Sequence, residues 1–137
     1  MPSNAEIARA VMGHMSAGAF EQAASFLHDD VIVDCPFQAF HQGPLRRGKA
    51  TVAAGFAFIP MVFSRFEVVV DELHDCPGQE TVVLEMHSEG VFAAGGGSYR
   101  NRYVLVFGFR DGKIVLWREC FDPDVMNRGM AFLMDYS

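Results

Sequence analysis

Apolar positions recur first at helical spacing and then at every second residue, so helices precede strands along this chain. Ser3 and Glu6 make a capping-box pair ahead of Ile7, Val11 and Met15, until Gly18 interrupts the run. This predicts a first helix over Asn4 to Ala17. Phe20, Ala23, Ala24 and Leu27 predict a second from Ala19 to Leu27, which His28-Asp29-Asp30 ends. Val31-Ile32-Val33 is β-branched and reads as a strand, cut short at Asp34-Cys35-Pro36 where proline removes a ladder donor. Phe37 to Gly48, with Gly43-Pro44, reads as a loop whose Phe37, Phe40 and His41 either close over a pocket or pack down. Lys49 to Ile59 carries Val52, Phe56 and Ile59 at roughly helical intervals, and Pro60 kinks or ends that helix.

From Phe63 onward the period is two. Phe66 to Leu73 and Thr81 to Phe92 are strands, and Gly95-Gly96-Gly97 leads into a long hairpin. Its arms, Tyr103–Phe109 and Ile114–Phe121, flank Asp111-Gly112, whose residues accept the positive φ angles of a two-residue turn. Continued without interruption, this register sets Arg110 opposite Lys113, Val106 opposite Trp117 and Val104 opposite Glu119. Tyr103 then lies on the side away from Glu119. A last helix, Asp124 to Leu133, is weakened by Gly129. Helices followed by antiparallel strands predict one α+β domain over residues 1–137, with the sheet curving onto the helices.

Composition adds three constraints. Half the residues are hydrophobic and thirteen are Phe, more bulk than a minimal core needs, so part of it is expected to line a cavity or an oligomer interface. Leu105, Phe107 and Leu116, placed on the second sheet face, predict a homodimer. A net charge of −6, with no basic run longer than Arg46-Arg47, argues against nucleic acid as a partner. Without an apolar stretch of membrane-spanning length, a cytoplasmic protein with no membrane partner is expected. Cys35, Cys76 and Cys120 form no CxxC pair and read as free thiols. His14, His28, His41 and His74 show no metal-ligand spacing, so neither metal nor cofactor is expected.

The candidate chemistry lies on the strands. Glu119 shares a strand face with Trp117 and Phe121, where a carboxylate is costly to bury unless it is paired or its pKa rises. The alternatives are a functional carboxyl, a rim position, or an ion pair with Arg102. His87 shares a face with Val83, Glu85 and Glu89 while Val82, Leu84 and Met86 take the other, so alternation alone places His87 towards solvent. Asp34 either starts a turn or faces a pocket. Tyr103 and Asn101 share a face and are able to donate hydrogen bonds to a ligand oxygen, although a core role for Tyr103 fits its type as well.

The runs Asp29-Asp30-Val31-Ile32-Val33-Asp34-Cys35-Pro36, Tyr103 to Phe109, Asp111-Gly112-Lys113-Ile114 and Trp117-Arg118-Glu119-Cys120-Phe121-Asp122 resemble the SnoaL-like branch of the nuclear-transport-factor-2-like (NTF2-like) superfamily. That branch includes polyketide cyclases and relatives of ketosteroid isomerase and limonene epoxide hydrolase. The resemblance implies a cone, with N-terminal helices packed in a strongly curved, mixed, mostly antiparallel sheet that encloses an apolar pocket. It also implies pocket positions for Asp34, Glu85, His87 and Glu119. Glu85 and His87 stand where epoxide-hydrolase relatives carry an arginine and an aspartate, and Ile32 or Val33 replaces their tyrosine. Cys35 stands where ketosteroid isomerase has its aspartate, directly before the proline. The expected activity is cofactor-independent acid–base chemistry on an apolar cyclic or polyketide-like metabolite. Glu119, Asp34 and His87 are the catalytic candidates, and Glu85, Trp117, Phe121, Phe37, Phe56 and Tyr103 the ligand contacts. The alternative is a ligand-binding or dimeric module of the same fold without turnover.

Overall fold

The capping box at Ser3 forms: Ser3 Oγ accepts from the Glu6 N–H at 3.1 Å and Glu6 Oε1 from the Ser3 N–H at 3.3 Å. Helix α1 follows over Asn4–Ser16 and buries Ile7, Ala8, Val11, Met12 and Met15. The structure, a computed structural model, describes residues 1–37, 46–126 and 128. Helix α2, Phe20–Ala24, is shorter than its apolar spacing implies, because strand β1, Leu27–Asp34, has already begun at Leu27. Strand β2 is only Arg46–Arg47 and lies where a loop is predicted; Phe40 and His41 fall outside the described residues. Pro60 divides the predicted third helix into α3, Lys49–Phe56, and α4, Ile59–Val62, taking a first-turn position where its missing N–H costs nothing. Strands β3, Phe63–Cys76, β4, Thr81–Phe92, β5, Ser98–Arg110, and β6, Lys113–Phe121, complete the sheet. Residues 123–126 begin the expected last helix; beyond them only Arg128 is described.

The sheet order is β2-β1-β6-β5-β4-β3. Strand β1 runs parallel to β6 and every other neighbour is antiparallel, giving a mixed sheet that curls around the helices without closing. Its inner face buries Val82, Leu84 and Met86 of β4, Tyr103, Leu105 and Phe107 of β5, and Ile114 and Trp117 of β6 against α1. A second cluster stacks Phe63, Phe92 and Tyr99 with ring centroids 4.9 to 5.4 Å apart. Among the described residues, no helix is long and apolar enough to cross a membrane.

The central hairpin turns as its sequence predicts, with Asp111 at φ 53° and Gly112 at φ 72°. Its register does not continue as predicted. Phe109 pairs with Ile114 but Gly108 pairs with Leu116, so Val115 is an extra residue on β6, and a β-bulge shifts every later pair by one. Gly108 admits this approach, since a Cβ there would lie 3.2 Å from Leu116 Cβ. Glu119 therefore faces Leu105, not Val104, and Trp117 faces Phe107, not Val106. The shift corrects two expectations. Tyr103 joins the face of Glu119, and Leu105 and Phe107 are fully buried inside, not on the second face.

Candidate functional site

The bulge sets the site by turning Trp117, Glu119 and Phe121 of β6 inward. Trp117 is fixed between the rings of Phe107 and Phe56, at centroid distances of 4.8 and 5.6 Å. Beside it lies a cavity of about 150 Å³, lined by Met12 and Met15 of α1, Ile59 of α4, Phe63, Phe66 and Val68 of β3, Met86, Tyr103 and Met126. Among the described residues, Glu119 is the one carboxylate on this apolar wall. Glu119 is half-buried and lines the cavity. Trp117 Nε1–H donates to Glu119 Oε1 at 3.3 Å. Desolvation raises the Glu119 pKa above the usual carboxylate value, and the Trp117 hydrogen bond offsets only part of that rise. Arg102, the considered ion-pair partner, is exposed on the outer face opposite His87.

A chain of buried hydroxyls reaches the same cavity through Tyr103. Tyr103 Oη lies 2.8 Å from both Tyr99 Oη and Ser88 Oγ, and Asn101 Nδ2 donates to Tyr99 Oη at 3.0 Å. Burial raises the pKa of both tyrosines, Tyr103 the further. The phenols therefore stay protonated and serve as hydrogen-bond donors. Ser88 and Tyr99 have no place in the sequence-based site. The available signal was Ser88 itself, a polar residue in phase with Val82, Leu84 and Met86.

The remaining candidates do not meet at this cavity. Asp34 pairs in register with Arg118, whose Nε donates to Asp34 Oδ2 at 2.9 Å, on the face opposite Trp117 and Glu119. Glu85 lies 2.8 Å from His74 Nε2, and His87 Nδ1 lies 2.8 Å from Asp71, both on the outer face. Strand alternation is the cause: Val82, Leu84 and Met86 occupy the inner side, which forces Glu85 and His87 outward. A bulge between Val70 and Glu72 leaves Asp71 unpaired in the ladder and within reach of His87. The expected convergence of Asp34, Glu85, His87 and Glu119 is thus corrected to Glu119 with Tyr103.

Phe56 is buried behind Trp117 as core. Phe37, 64 % exposed, borders with Glu85 and Phe121 a separate open groove of about 510 Å³. Among the described residues, one trio has ligand atoms close enough for a metal ion, Glu72, His74 and Glu85, all within 4.8 Å and all exposed on the outer face. Cys35 is buried near Glu119, and burial followed by the Glu119 charge pushes its thiol up to about 12.

A carboxyl of raised pKa beside a hydroxyl donor on one wall of an apolar cavity is equipped to move a proton on a bound molecule while the donor holds its oxygen. Comparison with known proteins agrees with the architecture. A proposed isomerase from Bacillus subtilis is 22 % identical, with 94 % of each chain covered and a TM-score of 0.81. A proposed polyketide cyclase from Pseudomonas putida is 16 % identical over 94 % of this chain and 98 % of its own, at 0.78. An epoxide hydrolase of limonene-epoxide-hydrolase type from M. tuberculosis is 20 % identical over 98 % and 96 %, at 0.71. No functionally curated protein matches the chain. The model of the SnoaL-like domain family matches residues 8–117, and the chain belongs to that family.

Proposed function

We propose that this protein is a cofactor-independent acid–base enzyme that transfers a proton on an apolar cyclic molecule. The observation that carries the reading is Glu119, a desolvated carboxyl of raised pKa on the wall of an apolar cavity. A raised pKa makes such a group a better proton acceptor and lets it hold a proton to higher pH, as acid–base work on a bound molecule requires. Tyr103 holds the ligand oxygen, and Trp117 fixes the carboxyl. About 150 Å³ is roughly the space one six-membered ring takes up, so the ligand inserts a single ring. Structural neighbours bear the names isomerase, polyketide cyclase and epoxide hydrolase, which is in keeping with an enzyme of this kind.

The test is proton exchange. In deuterated buffer, the wild-type protein is expected to wash out the α-protons of small cyclic ketones, followed by NMR. Glu119→Gln is expected to bind the same ketones without exchanging them. Equal exchange by both proteins would remove Glu119 from the reaction. A second reading, ligand binding without turnover, is favoured by the presence, among the described residues, of only one carboxylate on the cavity wall. Binding by the wild type with no exchange would select it.

A further inference from the structure

Deepening the cavity reading, on which it rests for its ligand, we infer that Asn101 is a positioning residue: it sets the direction of the Tyr99–Tyr103–Ser88 hydroxyl chain so that the cavity end is always a donor. Asn101 Oδ1 accepts from two backbone N–H groups, Arg102 at 2.8 Å and Asp122 at 3.2 Å. A backbone N–H only donates, so a flipped amide would oppose donors to donors, and the Asn101 orientation is fixed. Its Nδ2 consequently donates to the Asp122 carbonyl at 3.1 Å and to Tyr99 Oη at 3.0 Å. All four hydrogen-bonding positions of this buried amide are filled.

The consequence passes along the chain. Tyr99 Oη accepts from Asn101, so its one proton goes to its other partner, Tyr103 Oη. Ser88 is 1 % exposed, and among the described residues Tyr103 is its hydroxyl partner. If Tyr103 donated to Ser88, the serine proton would be buried without an acceptor, a costly arrangement, whereas Tyr103 lines both the cavity and the open groove, where ligand or water accepts its proton. Ser88 therefore donates too. Tyr103 receives two hydrogen bonds and its own proton is left for the cavity it lines. The site selects ligand acceptors, such as a carbonyl, enolate or phenolate oxygen, over ligand donors.

Asn101→Asp reverses the terminus, because an oxygen replaces the donating Nδ2 and takes the Tyr99 proton. Tyr103 then donates back to Tyr99, and the cavity sees a lone pair. Two single-ring probes separate the cases: cyclohexanone only accepts and pyrrole's N–H only donates. Titration is expected to show preference for cyclohexanone in the wild type. In Asn101→Asp the affinity ratio should move towards pyrrole by about tenfold, the change that follows when a buried donor becomes an acceptor. An unchanged ratio overturns the inference.

Proton NMR of the ligand-free wild type decides the same point without a variant. The Tyr99 hydroxyl proton should show its cross-peak to the Tyr103 ring, and the Tyr103 hydroxyl proton to Trp117 or Met86. A Tyr103 proton directed at Ser88 or Tyr99 overturns the inference even if Asn101→Asp does not fold. If neither probe binds the wild type, the cavity reading fails, while the NMR result still decides the direction of the chain.

Discussion

The two faces of the sheet carry the same kinds of side chain and use them differently. On the outer face three carboxylates have a partner and water: Asp34 with Arg118 at 2.9 Å, Glu85 with His74 and Asp71 with His87 at 2.8 Å. Exposed pairs of this kind are worth about 0–1 kcal/mol each, since high dielectric and side-chain ordering cancel most of the attraction. On the inner face Glu119 has only the Trp117 N–H, and desolvation governs it. The difference lies in position and not in residue type. A charge placed among partners in water contributes solubility, whereas the same charge beside an apolar cavity is poised for proton transfer. The bulge that takes Val115 out of the ladder keeps Glu119 on the inner face.

The comparison breaks most completely at Trp117: in urea denaturation, Trp117→Ala is expected to cost about 3–5 kcal/mol by emptying the space between Phe107 and Phe56. His87→Ala on the outer face should stay within about 1 kcal/mol in the same denaturation experiment. Similar losses for both would erase the distinction between the faces.

Glu119→Gln sharpens the comparison through pH. The folded pKa is raised above 4.5, so Glu119 adds stability at pH below that value, and the contribution is lost as pH rises through the folded pKa. Near neutrality the ionised, buried carboxylate opposes folding. The Gln variant should therefore be as stable or more stable there, with a shallower decline in urea midpoint between acid and neutral pH. A marked loss of stability at neutral pH would mean that Glu119 has a structural cation partner. The smallest effect concerns the thiols. Cys35, 4 % exposed and pushed up to about 12, should resist alkylation at about pH 8, where ordinary thiols react. Cys76, partly exposed, should be modified first. Early labelling of Cys35 in the folded protein would contradict its burial.

Local chemistry made most of the fold legible. Ser3 with Glu6 marks the start of α1, and Asp111-Gly112 marks the hairpin turn. The alternation from Thr81 to Phe92 gives the bounds of β4, and the motifs from Asp29 and from Trp117 point to the cone. Bulges were not legible, because an extra residue such as Val115 or Asp71 is ordinary in its own strand and reveals itself only against a neighbour. That is why the face of Tyr103 was misplaced. For Glu85 and His87 the alternation with Leu84 and Met86 already pointed outward, and the family resemblance pulled them inward. The hydroxyl chain depends on Ser88 meeting Tyr103 across β4 and β5, a pairing between strands that no single strand's pattern contains.

The account turns on the protonation of Glu119, which is read directly from the ¹³C chemical shift of its side-chain carboxyl carbon, titrated by NMR and assigned by its loss in Glu119→Gln. A titration midpoint clearly above 4.5, towards neutrality, is the predicted result. A midpoint at or below 4.5 would show a solvated or ion-paired carboxylate and would remove the proton-transfer reading.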